Sequence, residues 1–128
     1  MLRTLLIVAL GGGVGSALRY AVSKFVQDNM SGAFPYHTFA VNIVGCLLIG
    51  LFYGLAARGH LGNNTTTLLL TTGLCGGFTT FSTFSAEVVF LLQQGRVSWA
   101  LLNVAVNLLG SFAMTALAFW LFSQAASR

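Results

Sequence analysis

Four long apolar stretches alternate with short polar ones along the chain: Thr4 to Val26, Tyr36 to Ala57, Thr65 to Leu92 and Val97 to Phe122. Each reaches or exceeds the roughly 20 residues that a helix needs to cross ~30 Å of hydrocarbon. The pattern predicts an all-α integral membrane protein with four transmembrane helices. The connections Gln27 to Pro35, Arg58 to Asn64 and Gln93 to Arg96 are short. Residues 1–128 are therefore expected to form a single four-span membrane domain, with no room for a soluble catalytic one.

Polar positions inside the spans carry the functional signal. The third stretch contains Gly76-Gly77-Phe78-Thr79-Thr80-Phe81-Ser82-Thr83-Phe84-Ser85, a glycine-broken, hydroxyl-rich run at membrane depth. From Thr65 to Gln94 a continuous helix would measure about 45 Å at ~1.5 Å per residue, which is long for one crossing. A break near Gly76 to Thr79 relieves this, and its freed carbonyls suit a small hard cation. Close helix packing is the other use of such glycines. Beyond the break, Phe81 and Phe84 stand at i and i+3 on one face, where ring edges and neighbouring hydroxyl donors suit a partly dehydrated anion.

The other spans add smaller signals. Thr38 and Asn42, four apart, share a face of the second, and Asn103, Asn107, Ser111 and Thr115 recur every four residues in the fourth. Such stripes serve interhelical hydrogen bonds or line a narrow aqueous path. The run Gly11 to Ala17 is a small-residue packing face. Arg19, at its end, either snorkels to headgroups or lines an anion-gathering vestibule. Glu87, the carboxylate inside the third span, is a proton relay or an acid paired with Arg19 or hydrogen-bond donors. His37 reads as an interface marker.

Composition narrows the class. The 128 residues are 56% hydrophobic and only 6% charged, against about 25% charged in soluble domains. The net charge of +4 comes from scattered basic residues, which excludes a nucleic-acid patch. No nucleophile with a base, metal-ligand cluster or phosphate loop marks an enzyme. Cys46 and Cys75 fall within spans as packing residues, without disulfide or metal spacing. The first span lacks a small-x-small cleavage site and is expected to be retained. With four spans, Arg3, Arg58 and Arg128 share one side, while Arg19, Lys24 and Arg96 share the other. The basic residues that orient membrane proteins are thus tied. The tie implies insertion in both orientations and an antiparallel homodimer, unless other contacts fix a single one.

The glycine run before Arg19-Tyr20, the Thr-x-x-Val-Asn-x-x-Gly motif at Thr38 to Gly45, and the run from Gly76 to Ser85 together resemble the Fluc-type (CrcB-type) fluoride channels. The resemblance covers nearly the whole chain in motif order. It implies an antiparallel, dual-topology homodimer in the cell (inner) membrane that passively exports fluoride and protects the cytoplasm from it. It also implies a structural sodium ion at the dimer interface, held by the carbonyls of Gly76 and Thr79 from interrupted third helices. In that scheme Phe81 and Phe84 line the fluoride path with Asn42, joined by Thr38, Ser82, Thr83, Asn107 and Ser111. Arg19 stands at the vestibule. A small proton-coupled multidrug-type exporter is the main alternative, but its first span would need an acid within the membrane, and a membrane assembly factor leaves the Thr-Thr-Phe-Ser run unexplained.

The charge tie yields a direct expectation. Reporters fused to the C-terminus should be read on both sides of one membrane, and a single-sided signal would remove dual topology.

Overall fold

The computed structural model describes residues 1–30, 32, 34–59 and 64–125. Arg128, which enters the charge tally, lies outside them. The helices are α1 Leu2–Asn29, α2 Tyr36–Ala57, α3 Asn64–Leu68, a π-helical turn Leu69–Cys75, α4 Gly76–Phe78, α5 Ser82–Gln93 and α6 Val97–Ala125. Among the described residues four segments are long and apolar enough to cross a membrane: Leu2–Asn29, Tyr36–Ala57, Asn64–Gln93 and Val97–Ser123. The third is composite. It changes from α to π geometry, returns to α, loses helical bonding over Thr79 to Phe81, and resumes at Ser82.

Two packing seams hold these segments together. α2 lies mainly along α6, and α1 lies along the π-helical turn and α4. In lipid, apolar surface gains nothing by leaving its solvent, so helices associate through close contact of small residues. The buried positions of α1 are Gly11 and Gly15, and those of α2 include Gly45, Gly50 and Gly54. A Cβ on Gly15 would overlap the Leu74 carbonyl oxygen, and one on Gly77 would overlap the carbonyl oxygen of Gly12. The backbones of α1 and the third span therefore touch with nothing between them. Ser16 Oγ donates to Gly77 O across the same seam at 3.5 Å.

The interior is thin. Val41, Cys75, Phe78, Phe84, Leu91, Ala100 and Ala118 are its buried apolar side chains, with Phe34 beneath the first connection. Phe34 meets Tyr36 edge-on at 5.0 Å and Trp99 at 6.2 Å, tying the start of α2 to the start of α6 through aromatics of the kind that anchor at membrane interfaces. Leucines and phenylalanines cover the exterior, as suits a bilayer.

The interruption differs in place from the glycine reading. Gly76 is helical at φ −62° and ψ −38°, whereas Thr79 is extended at φ −81° and ψ 160°. Gly76 and Gly77 continue the helix, and Gly77 serves close approach to α1. The chain departs from helix at the threonines, whose hydroxyls offer the backbone alternative partners.

The seam makes a prediction about stability. Gly15→Ala puts a methyl group against backbone that has no side-chain freedom to yield, at a cost of about 1–3 kcal/mol. Gly13→Ala meets nothing within 4 Å and should not destabilise. Unfolding in detergent should separate the two, and equal midpoints would mean that this contact does not hold the fold.

Candidate functional site

The polar groups converge where the third span bends. Asn42, half-buried on α2, accepts the Thr80 N–H at Oδ1 over 3.0 Å and donates from Nδ2 to the Thr80 carbonyl over 3.2 Å. One primary amide thus completes both backbone groups of a residue outside the helix. The same Nδ2 lies 3.3 Å from Asn107 Oδ1. Asn107 Nδ2 in turn donates to both the backbone oxygen and Oδ1 of Asn103. Asn103 and Asn107 are 0% and 3% exposed, so this amide string runs through the interior from the bend into α6. Its last donor, Asn103 Nδ2, is buried without a partner among the described residues.

Further side-chain bonds shape the bend. Thr79 donates twice to the Cys75 carbonyl, from its N–H and from Oγ1, both at 3.0 Å. Thr80 Oγ1 accepts the Thr83 N–H at 3.3 Å and so caps the start of α5. In an unbroken helix the Thr80 N–H would serve Gly76 O, and the Thr83 N–H would serve Thr79 O. Both donors are diverted. The carbonyls of Gly76 and Thr79 are thereby released from the helical ladder, and as neutral hard oxygens they fit a small hard cation.

A cavity of about 200 Å³ adjoins the bend, lined among others by Asn42, Phe81, Phe84, Asn107 and Ser111. The rings of Phe81 and Phe84 are 5.6 Å apart and inclined by 60°. They differ sharply in environment: Phe84 is 6% exposed and Phe81 73%. A second cavity of about 350 Å³ lies between α1, α2 and the bend, and Arg19, Lys24, Thr38, Thr80 and Thr83 are on its walls. Thr80 borders both cavities. Its walls thus combine two basic side chains with hydroxyls, groups that attract anions.

The predicted residues thus fall into two groups. Asn42, Phe81, Phe84, Asn107 and Ser111 meet in the first cavity, and Arg19, Thr38 and Thr83 in the second. Ser82 lines neither, but its Oγ lies 3.5 Å from Thr80 Oγ1. Glu87 pairs with His37, Nε2 to Oε2 at 2.9 Å, so its partner is not Arg19. The link from Asn42 to Thr80 was not legible, because a side chain meeting a backbone 38 positions away leaves no periodic mark. The four-residue stripe did place Asn103 on the interior face, although not as the end of an amide string.

Fold and site together define a small multi-pass membrane protein with polar cavities meeting at a bent helix. The family model described as "CrcB-like protein, Camphor Resistance (CrcB)" matches residues 6–119. The chain is 60% identical over 130 residues to a protein of Klebsiella pneumoniae named fluoride-specific ion channel FluC, covering both chains in full. It is 55% identical over 128 residues to proteins of the same name from Salmonella arizonae and Salmonella newport, again over 100% of each. The chain belongs to the CrcB-like family.

The Asn42 amide gives this geometry a test. Asn42→Ala leaves the Thr80 N–H and carbonyl without partners at about 1–3 kcal/mol each. The variant should unfold at lower denaturant in detergent, with faster hydrogen exchange at the Thr80 amide. Unchanged exchange there would mean that Asn42 does not hold the bend.

Proposed function

We propose that the protein is a fluoride-selective ion channel that lets fluoride leave the cell passively, and that it is not an enzyme. The observation that carries this reading is the cavity at the bend, where amides, hydroxyls and aromatic rings converge beside a basic vestibule. Full-length identity of 55–60% to fluoride-specific channels supports it. Fluoride is small and strongly hydrated, so a path must replace its water with donors that remain mobile or neutral enough to release it. Thr38, Thr83 and Ser82 supply hydroxyls, Asn42 and Asn107 line the path as polar walls whose N–H groups the bend already engages, and ring edges of Phe81 and Phe84 supply a positive rim. Arg19 and Lys24 raise the local anion concentration at the entrance.

The active form in this reading is an antiparallel, dual-topology homodimer in the cell (inner) membrane. The tie among the six basic residues supports it. So does the exposure of Phe81, because a ring 73% uncovered on one chain needs a second surface to enclose a narrow path. The released carbonyls of Gly76 and Thr79 would hold a structural sodium ion, supplying a fixed positive charge that joins the two copies. Fluoride that enters an acidified cell as hydrogen fluoride would leave by this route. A proton-coupled exporter of cations finds less support: the acid of α1, Asp28, is exposed and paired with Lys24 at 3.3 Å.

Liposomes containing the purified protein, a fluoride gradient and a potassium ionophore provide the test. Fluoride should leave rapidly and chloride should not. Phe81→Ile should slow fluoride by at least about tenfold, since the ring edge has no aliphatic substitute. Chloride efflux from the unaltered protein would overturn selectivity, and undiminished flux in the variant would take Phe81 off the path.

A further inference from the structure

One half-buried polar pair has no part in the path just described. His37 Nε2 donates to Glu87 Oε2 at 2.9 Å, with side chains only 21% and 15% exposed. The bond joins the beginning of α2 to α5 beyond the bend. Two cavities meet there. The basic vestibule ends inward on Thr80 and Thr83, and an outer cavity of about 410 Å³ has Gln27, Tyr36, His37, Glu87, Gln94 and Arg96 on its walls. Gln27 and His37 belong to both linings, whereas Glu87 faces the outer one. The pair therefore stands in the partition between them.

A carboxylate beside an anion path is a barrier, because like charge is poorly screened away from bulk water. Among the described residues on these walls Glu87 is the only acid; the other charged or titratable groups are Arg19, Tyr20 and Lys24 from α1, Tyr36 from α2 and Arg96 after α5. Glu87 also competes for donors. Thr38 stands beside the carboxyl, yet Thr38 Oγ1 and Glu87 Oε1 are both buried without a completed hydrogen bond. A hydroxyl has one proton to give, so Thr38 serves either the carboxylate or a passing anion.

We propose that His37 is a positioning residue for anion passage: by holding Glu87 through Nε2 it keeps the carboxylate on the outer side of the partition and leaves the Thr38 hydroxyl free to donate to fluoride. This rests on the fluoride-channel reading above. The imidazole donates from Nε2 both as imidazolium and as the neutral Nε2–H tautomer, so the role depends on the bond and not on a charge.

Fluoride efflux from liposomes tests this with His37→Ala, Glu87→Gln and the double variant, each first shown to elute as the unaltered protein does. His37→Ala frees the carboxylate and should slow fluoride about tenfold, and adding Glu87→Gln should bring the rate back to within about threefold of the original. Rescue is the informative result, since a merely structural histidine would leave the double variant as slow as the single one or slower. Equal slowness in both, or full flux in His37→Ala, overturns the proposal while leaving the channel standing. No fluoride flux from the unaltered protein overturns the channel reading and this proposal with it. Should His37→Ala not fold, His37→Gln keeps a donor at the same position and should conduct at near the original rate; a folded His37→Gln that does not conduct overturns the proposal.

Discussion

The rest of the structure depends on how a non-helical backbone is satisfied at membrane depth. Hydrocarbon offers no hydrogen bonds, and each unpaired N–H or carbonyl costs several kcal/mol there. The third span loses its helical ladder over Thr79 to Phe81, and Asn42 restores two bonds at Thr80. A primary amide is the neutral side-chain group that donates and accepts in one plane, as a peptide does. A hydroxyl at this position would have a single proton and the wrong reach. Asn107 and Asn103 then fix which way the amide points. The register of α2 against the bend and of α6 against α2 follows from this string.

Such a string needs helices closer than leucine side chains permit. Gly15 and Gly77 bring α1 onto the third span, and Gly45 admits the Thr79 methyl group, which a Cβ would overlap. The small residues and the amides are parts of one arrangement: backbone contact sets the distance, and the hydrogen bonds at the bend then have partners within reach. The result is a thin interior and an apolar exterior. This is the reverse of a soluble domain, and it is stable only where lipid or a second protein surface meets that exterior.

The four spans were legible because length and hydropathy act locally, and Tyr36–Ala57 is bounded in the structure where the pattern placed it. The bend was legible in kind and displaced in position. Glycine signals that backbone freedom or space is needed, without saying which. At Gly77 the need is space against Gly12, so helix continues through the pair and yields at the threonines. The polar stripes of α2 and α6 were visible from four-residue spacing, since helical periodicity puts such positions on one face. Contacts between distant segments were not. His37 and Glu87 stand in different spans, far apart in sequence, and only folding brings them to 2.9 Å.

The bend also sorts polarity in a way that bears on ion traffic. Diverting the Thr80 N–H to Asn42 and the Thr83 N–H to Thr80 Oγ1 removes two donors from the helical ladder and leaves two carbonyls, Gly76 and Thr79, without their helical partners. Oxygen dipoles released in this way attract cations. The hydroxyls of Thr80 and Thr83 carry protons that attract anions, whereas both Nδ2 protons of Asn42 are engaged by Thr80 and Asn107. One interruption thus leaves carbonyl oxygens and polar hydrogens outside the helical ladder a few residues apart, with no ionised side chain in the string that holds it. An ionised donor holds an anion more tightly than a neutral one, whereas neutral donors in series let binding and departure remain comparable. A bent helix held by an asparagine meets that requirement, and a lysine or arginine in the same place would not.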